Sequence, residues 1–421
     1  MEVARGRSAL TIAPPVSTVP AARRQGRVSP SIGLNTHPGS DDDGWVMPPP
    51  VRLNDGTRIQ LYKDGEGLQA AYNAIKAAKE RVCLEVYIFS SDETGRAFAD
   101  LLSAKAREGV RVYLIYDSFG SIYSDRAMFE RMRRSGVRVQ EFHPIFPWET
   151  RFSWRPINRD HRKVLVIDRD IAGIAGLNIG AEYAGSWVVP NPAAPCEAWR
   201  DNAIGIVGPG AQLFLDAFAR TWHYVTHGGR IRRAEFSANL GGDLGVLASV
   251  PTMNSPLRPN LCKLMQSARR SIDLSMAYFA PDDLLIDELC KAAGRGVRVR
   301  LVLPGRCDVP LVRVAARSFY EMLLGCGIEI YERQGVILHS KTLVVDGHTT
   351  VMGSMNLDYR SIEYNCEIST IIRSREFGLN MHDLFENDVG FSEKIELRQW
   401  RRRPMWDRFV QWAVSRARYL L

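Results

Sequence analysis

The 421-residue sequence predicts an α/β protein made of two similar layered domains, each a sheet flanked by helices. Three observations lead there. Short β-branched runs alternate with helix-like stretches, the same order of elements recurs in both halves, and a histidine–lysine motif is written twice at matching intervals.

Taken in order, Arg81-Val82-Cys83-Leu84-Glu85-Val86-Tyr87 aligns with Ser271-Ile272-Asp273-Leu274-Ser275-Met276-Ala277. Gly109-Val110-Arg111-Val112-Tyr113-Leu114-Ile115 aligns with Gly296-Val297-Arg298-Val299-Arg300-Leu301-Val302, and Gly136-Val137-Arg138-Val139 with Gly327-Ile328-Glu329-Ile330. Each half therefore reads helix, strand, helix, strand, helix, strand, and then a strand that carries the motif.

In that last strand His161-Arg162-Lys163 leads to Asp168, and His339-Ser340-Lys341 leads to Asp346. Both runs from lysine to aspartate are apolar and β-branched, so each histidine enters a strand buried on both faces. Side chains alternate with a period of two, so His161 and Lys163 point the same way, as do His339 and Lys341. An imidazole and an ammonium thus reach one pocket together. Gly176 and Asn178 follow a second apolar stretch in the first half; Gly353, Ser354 and Asn356 follow one in the second. These stretches suit a neighbouring strand returning to the same edge, where small residues let backbone N–H groups and a carboxamide approach a phosphate. A single such histidine is ordinarily structural. Two copies with His, Lys, Asp, Gly and Asn at the same intervals point to chemistry, because one imidazole can attack phosphorus while a second protonates the leaving oxygen.

Asp160-His161-Arg162-Lys163, Gly176-Leu177-Asn178-Ile179-Gly180, Trp199-Arg200-Asp201, Ala277-Tyr278-Phe279-Ala280-Pro281-Asp282 and Gly353-Ser354-Met355-Asn356-Leu357-Asp358-Tyr359-Arg360-Ser361 together resemble the phospholipase D superfamily. Within it they are most similar to the bacterial cardiolipin synthases, from about residue 55 onward. The resemblance implies two domains, 51–230 and 231–392, related by a pseudo-twofold axis with one active site at their interface. A disordered segment, 1–50, precedes them and a basic tail, 393–421, follows.

By motif position, His161 becomes the nucleophile that forms a phosphohistidine and His339 the acid and base. Lys163, Lys341, Asn178 and Asn356, with Gly176, Gly353 and Ser354 around them, hold the phosphate oxygens. Glu367 and Asp201 accept hydrogen bonds from the imidazoles. Asp168 and Asp346 are grouped with the catalytic set as motif members, although both follow apolar strands and can instead cap loops. The resemblance implies no metal and no other cofactor. It implies a phosphatidyl group moving from phosphatidylglycerol to a second phosphatidylglycerol with release of glycerol; hydrolysis by water and a nuclease are the alternatives. The first half carries 13 extra residues just before His161, an aromatic stretch around Phe146 to Trp154 that is a candidate lid or acyl-chain contact.

Composition bounds the rest. The net charge is +8, of which residues 398–421 carry +6, leaving the body near neutral and arguing against a nucleic-acid partner. In that tail Trp406, Phe409, Val410, Ala413, Ala417 and Leu420 fall on one helical face with arginines opposite, the pattern of a helix lying on an anionic membrane surface. No apolar run is long enough to span a bilayer, so the expected location is peripheral, at the cytoplasmic side of the cell membrane. Seven cysteines without a C-x-x-C pair suggest a reducing compartment and no zinc site. His223 and His227 lack the glutamate of a metalloprotease motif. The oligomeric state stays open.

Overall fold

A computed structural model of the chain describes residues 44–150, 155–185, 187, 199–228, 242–250 and 255–416. The first half forms β1 (Val51–Arg52), β2 (Arg58–Lys63), α1 (Gly65–Ala77), β3 (Arg81–Val86), α2 (Glu93–Arg107), β4 (Arg111–Asp117), α3 (Arg126–Arg134), β5 (Arg138–Phe142), β6 (Val164–Ile167), β7 (Ile171–Ala175), β8 (Asn202–Val207) and α4 (Ala211–His227). The second forms β9 (Leu244–Ala248), α5 (Leu257–Ser267), β10 (Ser271–Met276), β11 (Phe279–Ala280), α6 (Asp283–Gly294), β12 (Arg298–Pro304), α7 (Pro310–Ser318), α8 (Tyr320–Gly325), β13 (Glu329–Arg333), β14 (Lys341–Val345), β15 (Thr349–Gly353), β16 (Leu357–Asp358), β17 (Ile368–Arg373), α9 (Arg375–Gly390), β18 (Ser392–Lys394), α10 (Leu397–Trp400) and α11 (Met405–Arg416).

Among the described residues these strands make two eight-stranded sheets of matching order. The first runs β5-β4-β3-β6-β7-β8-β2-β1, the second β18-β13-β12-β10-β14-β15-β17-β9. The extra strands β1 and β18 lie at opposite edges. Register repeats as well: Leu84 faces Leu165 across β3 and β6, and Leu274 faces Leu343 across β10 and β14. β6, Val-Leu-Val-Ile, lies between the antiparallel β3 and β7 in the middle of its sheet and is buried throughout, Leu165 and Ile167 in one apolar cluster and Val164 and Val166 in another. Aspartates stop the chain at helix entries; Asp92 accepts from the Gly95 N–H and Asp282 from the Leu285 N–H.

Helices α1 to α3 cover one face of the first sheet around Phe98, Leu102 and Phe129, and α5 to α8 cover the second around Leu261, Leu289 and Leu323. The inner faces share a third cluster, in which Val166, Ile174 and Ile206 of the first sheet pack with Val344, Ile368 and Ile372 of the second and with Phe214 of α4 and Phe377 of α9. The described residues are accordingly one compact unit, and the two halves have no separate cores at their junction.

Three expectations change. Residues 44–50 belong to the folded body and not to the disordered segment, because Trp45 packs on the shared core and the Pro48 carbonyl accepts from Gln60 Nε2 at 2.7 Å; residues 1–43 lie outside the described residues. The tail does not begin at 393: β18 pairs with β13, and Trp400 is buried against Tyr320. The cysteine reading needs correcting too. Cys290 of α6 and Cys326 after α8 are disulfide-bonded, a pairing across 36 residues that spacing alone does not reveal. Among the described residues no helix is long and apolar enough to cross a membrane.

Candidate active site

Each motif is pinned by the opposite half. The His161 N–H donates to the Cys366 carbonyl at 3.0 Å, and the His339 N–H donates to the Arg200 carbonyl at 2.7 Å. The residue that follows each of these carbonyls is an acid. Glu367 therefore arrives beside His161, and Asp201 beside His339. The pairing is crossed: each carboxylate serves the histidine of the other half.

His161 Nδ1–H donates to Glu367, 3.0 and 3.1 Å from its two oxygens. Ser354 Oγ donates to the same carboxylate at 2.5 Å and Asn365 Nδ2 at 3.4 Å. His339 Nδ1–H donates to Asp201 Oδ2 at 2.6 Å, and the Asn202 N–H donates to Asp201 Oδ1 at 2.7 Å. Lys163 Nζ donates to the His161 carbonyl at 2.7 Å; Lys341 Nζ donates to the His339 carbonyl and lies 2.9 Å from His339 Nδ1. Both histidines and both lysines are buried.

Burial dominates the electrostatics. It brings Lys163 down to about 7 and Lys341 down to about 8. It lowers both imidazoles, His339 well below its ordinary value because Lys341 and Lys163 add to the effect, His161 against the pull of Glu367. Burial raises Asp201 to about 6. It opposes ionisation of Glu367 as well, but His161, Lys163 and the Ser354 hydroxyl outweigh it and leave this carboxyl below its usual range. Lys341 acts on the pKa of Lys163, and Lys341, Lys163 and His161 all act on His339, so the four groups share one electrostatic site.

Several of the remaining motif residues are engaged by groups of the protein itself. Asp168 and Asp346 do not belong with the catalytic set. They occupy left-handed turns, φ 53° and 56°, at the far ends of β6 and β14, about 16 Å along the strand from the lysines. There Asp168 accepts from the N–H groups of Lys79, Glu80 and Arg81, and Asp346 from those of Arg269, Arg270 and Ser271. Ser354 supports Glu367. Gly176 leaves room for the other acid, since a Cβ there would fall 2.2 Å from Asp201 Oδ1; a Cβ on Gly353 would meet the Ile368 carbonyl. Asn178 spans Ile88 N–H (3.1 Å) and the Tyr183 hydroxyl (2.9 Å). Asn356 keeps a buried Oδ1 without a hydrogen-bond partner.

The comparisons agree with this architecture. Residues 72–185 and 261–389 match the model of a family described as cardiolipin synthase, phospholipase D-like domain. A probable cardiolipin synthase of Bacillus subtilis (strain 168) is 31% identical over 351 residues, 82% of this chain and 68% of that protein. The chain belongs to the phospholipase D-like cardiolipin synthase family. It is thereby an enzyme of the phosphatidyltransferase class. A cardiolipin synthase of Geobacillus thermodenitrificans (strain NG80-2) is 32% identical over 375 residues, 87% of this chain and 72% of that protein. A solved phosphatidylserine synthase of Haemophilus influenzae Rd KW20 has the same fold, with a TM-score of 0.66 at 14% identity over 88% of this chain and 97% of that one.

The two histidine–lysine motifs leave out an aromatic wall. Tyr87 packs edge-on to His161 at 4.9 Å between centroids; Trp199 (5.1 Å), Tyr183 (5.5 Å) and Tyr278 (6.3 Å) surround His339. Tyr87 and Tyr278 each sit just past the strand that pairs with a motif strand, and that position is the signal by which they could be found. Asp308, whose Oδ2 accepts from the Tyr278 hydroxyl at 2.5 Å, also acts on His339. Among the described residues no group of three or more His, Cys, Asp or Glu is arranged to hold a metal ion, and His223 and His227 stack on the exposed side of α4.

Proposed function

We propose that this chain makes cardiolipin by moving a phosphatidyl group from one phosphatidylglycerol to another. His161 Nε2 attacks the phosphorus while the bond to the glycerol oxygen breaks, and His339 gives that oxygen its proton. The second phosphatidylglycerol then loses its hydroxyl proton to His339 as its oxygen attacks, and the phosphorus–nitrogen bond breaks. Lys163, Lys341 and the Nδ2–H of Asn356 stabilise the charge that grows on the phosphate oxygens.

The observation that carries the reading is the crossed pair of imidazole–carboxylate contacts, 3.0 Å and 2.6 Å, beside two buried lysines. Attack by Nε2 leaves positive charge on the His161 ring, and the firmly ionised Glu367 offsets it. Asp201, with its carboxyl raised to about 6, is a weaker anion and leaves His339 freer to trade a proton. A bound phosphodiester, itself negative, counters the two ammonium groups that hold His339 neutral.

The same proposal has the enzyme lie on the cytoplasmic face of the membrane through its C-terminal helix. The inner side of α11 is Val410, Gln411 and Val414, while Trp406, Phe409 and Trp412 form an exposed ridge with Arg408 and Arg416. Ala417 and Leu420 lie outside the described residues. Purified protein incubated with phosphatidylglycerol vesicles should yield cardiolipin and free glycerol by mass spectrometry, and neither His161→Ala nor His339→Ala should do so. Phosphatidic acid as the sole product would make it a hydrolase, and cleavage of single-stranded DNA without lipid turnover a nuclease.

A further inference from the structure

The His161 half-site is rimmed by apolar side chains that face solvent. Tyr123 is 97% exposed and Trp148 76%; Phe119, Ile122, Phe146 and Ile157 are also exposed. They come from three segments tied to the site. Asp117, at the end of β4, accepts the Phe119 and Gly120 N–H groups on Oδ1 at 2.8 and 3.0 Å, and the N–H of Asp160, next to His161, on Oδ2 at 2.8 Å. Ser121 Oγ donates to the carbonyl of Tyr87, whose ring packs on His161. The segment after β5 is joined to this loop by Ile145 N–H to Ser118 Oγ, 3.2 Å, and by the Arg126–Glu149 ion pair, 2.8 Å. Ile157 lies four residues before His161. Across the site Asp308, which acts on His339, is followed by the exposed Val309 and Leu311, and α7, in whose first turn Leu311 lies, packs against α11.

We infer that this rim is a second membrane contact, inserted into the same anionic lipid surface that takes α11. The inference rests on the lipid reading above. A soluble protein does not ordinarily leave so many large apolar groups contiguous in water. Charge favours an anionic lipid over a protein partner: residues 398–421 carry +6, with Arg402, Arg408 and Arg416 exposed. Continuity with the half-site explains the placement. A phosphodiester headgroup must reach buried imidazoles while its chains stay in apolar surroundings, and a rim of Tyr, Trp, Phe and Ile supplies them.

The test compares Phe119→Ser/Ile122→Ser/Tyr123→Ser/Trp148→Ser with the parent on two substrates, with folding checked by thermal melting. On phosphatidylglycerol vesicles the rate should fall about tenfold or more, and on dihexanoyl-phosphatidylglycerol below its micelle concentration it should stay within about twofold. Equal loss on both, or no loss on vesicles, overturns the inference. Dissociation of a solution dimer by the same substitutions also overturns it, giving the patch to a second copy. Vesicles of brominated phosphatidylglycerol supply a readout without turnover. They should quench fluorescence that Trp148→Phe removes, and absence of that quenching counts against insertion even if the lipid reading itself has failed.

Discussion

Around His161 the anion is Glu367, clasped by the Ser354 hydroxyl at 2.5 Å; around His339 it is Asp201, lodged where Gly176 has no side chain. Ser354 and Gly176 occupy the same place in the repeat. A long acid needs a hydroxyl to steady it, and a short acid reached from a closer backbone needs the space that a Cβ would fill. The two halves therefore solve one geometric problem with complementary pairs, Glu with Ser and Asp with Gly. The electrostatic result differs: Glu367 stays below its usual range and Asp201 rises to about 6. A symmetric scaffold thus presents two histidines with unlike electrostatic surroundings, which suits the two-step transfer proposed above.

The comparison can be broken most forcefully at Gly176. Gly176→Ala should displace the Asp201 carboxylate and lower kcat about as much as Asp201→Asn, some 10- to 100-fold. Ser354→Ala removes one of several contacts to Glu367 and should cost less, about tenfold or below. Steady-state kinetics on the four variants, with Glu367→Gln, would reverse the comparison if Ser354→Ala proved the more damaging.

The lysines sharpen it through pH. In the proposed reaction a protonated ammonium grips the phosphate, and the free site holds Lys163 at about 7 and Lys341 at about 8. kcat/KM should accordingly decline as pH rises through 7 to 8, since protons are lost there and not gained. Lys163→Arg, whose guanidinium stays charged, should lower the rate and move the alkaline limb upward. A profile flat to pH 9 in the parent would contradict the assignment.

The smallest effect on turnover belongs to the motif aspartates. Asp168→Asn and Asp346→Asn lose charge-assisted bonds to backbone N–H groups, so each should cost about 1 to 3 kcal/mol of stability. The kcat of the folded enzyme should be unchanged. Denaturant titration together with kinetics distinguishes this from a catalytic role.

Much of the fold was legible because its signals are local. Strand periodicity placed β6 and β14 and the shared direction of each His–Lys pair, and the repeat aligned the two sheets to the residue at Leu84/Leu274. Glu367 and Asp201 were readable as partners through the family resemblance. Their crossing was not, since it joins residues 206 and 138 positions apart and depends on how the halves meet. The duty of Ser354 was hidden for the same reason. Asp168 and Asp346 share the motif's spacing with the lysines, and only their turn geometry separates architecture from chemistry. Cys290 and Cys326 carry no pairing signal in their spacing, and α11 displays on its surface the aromatics that periodicity assigned to one face.

The central claim, one centre with unequal histidines, is tested most directly by trapping the covalent intermediate. His339→Ala enzyme, given phosphatidylglycerol and quenched in alkali, should carry an acid-labile phosphatidyl adduct that peptide mass spectrometry maps to His161, while His161→Ala carries none. An adduct on His339, or full turnover by either variant, would contradict the account.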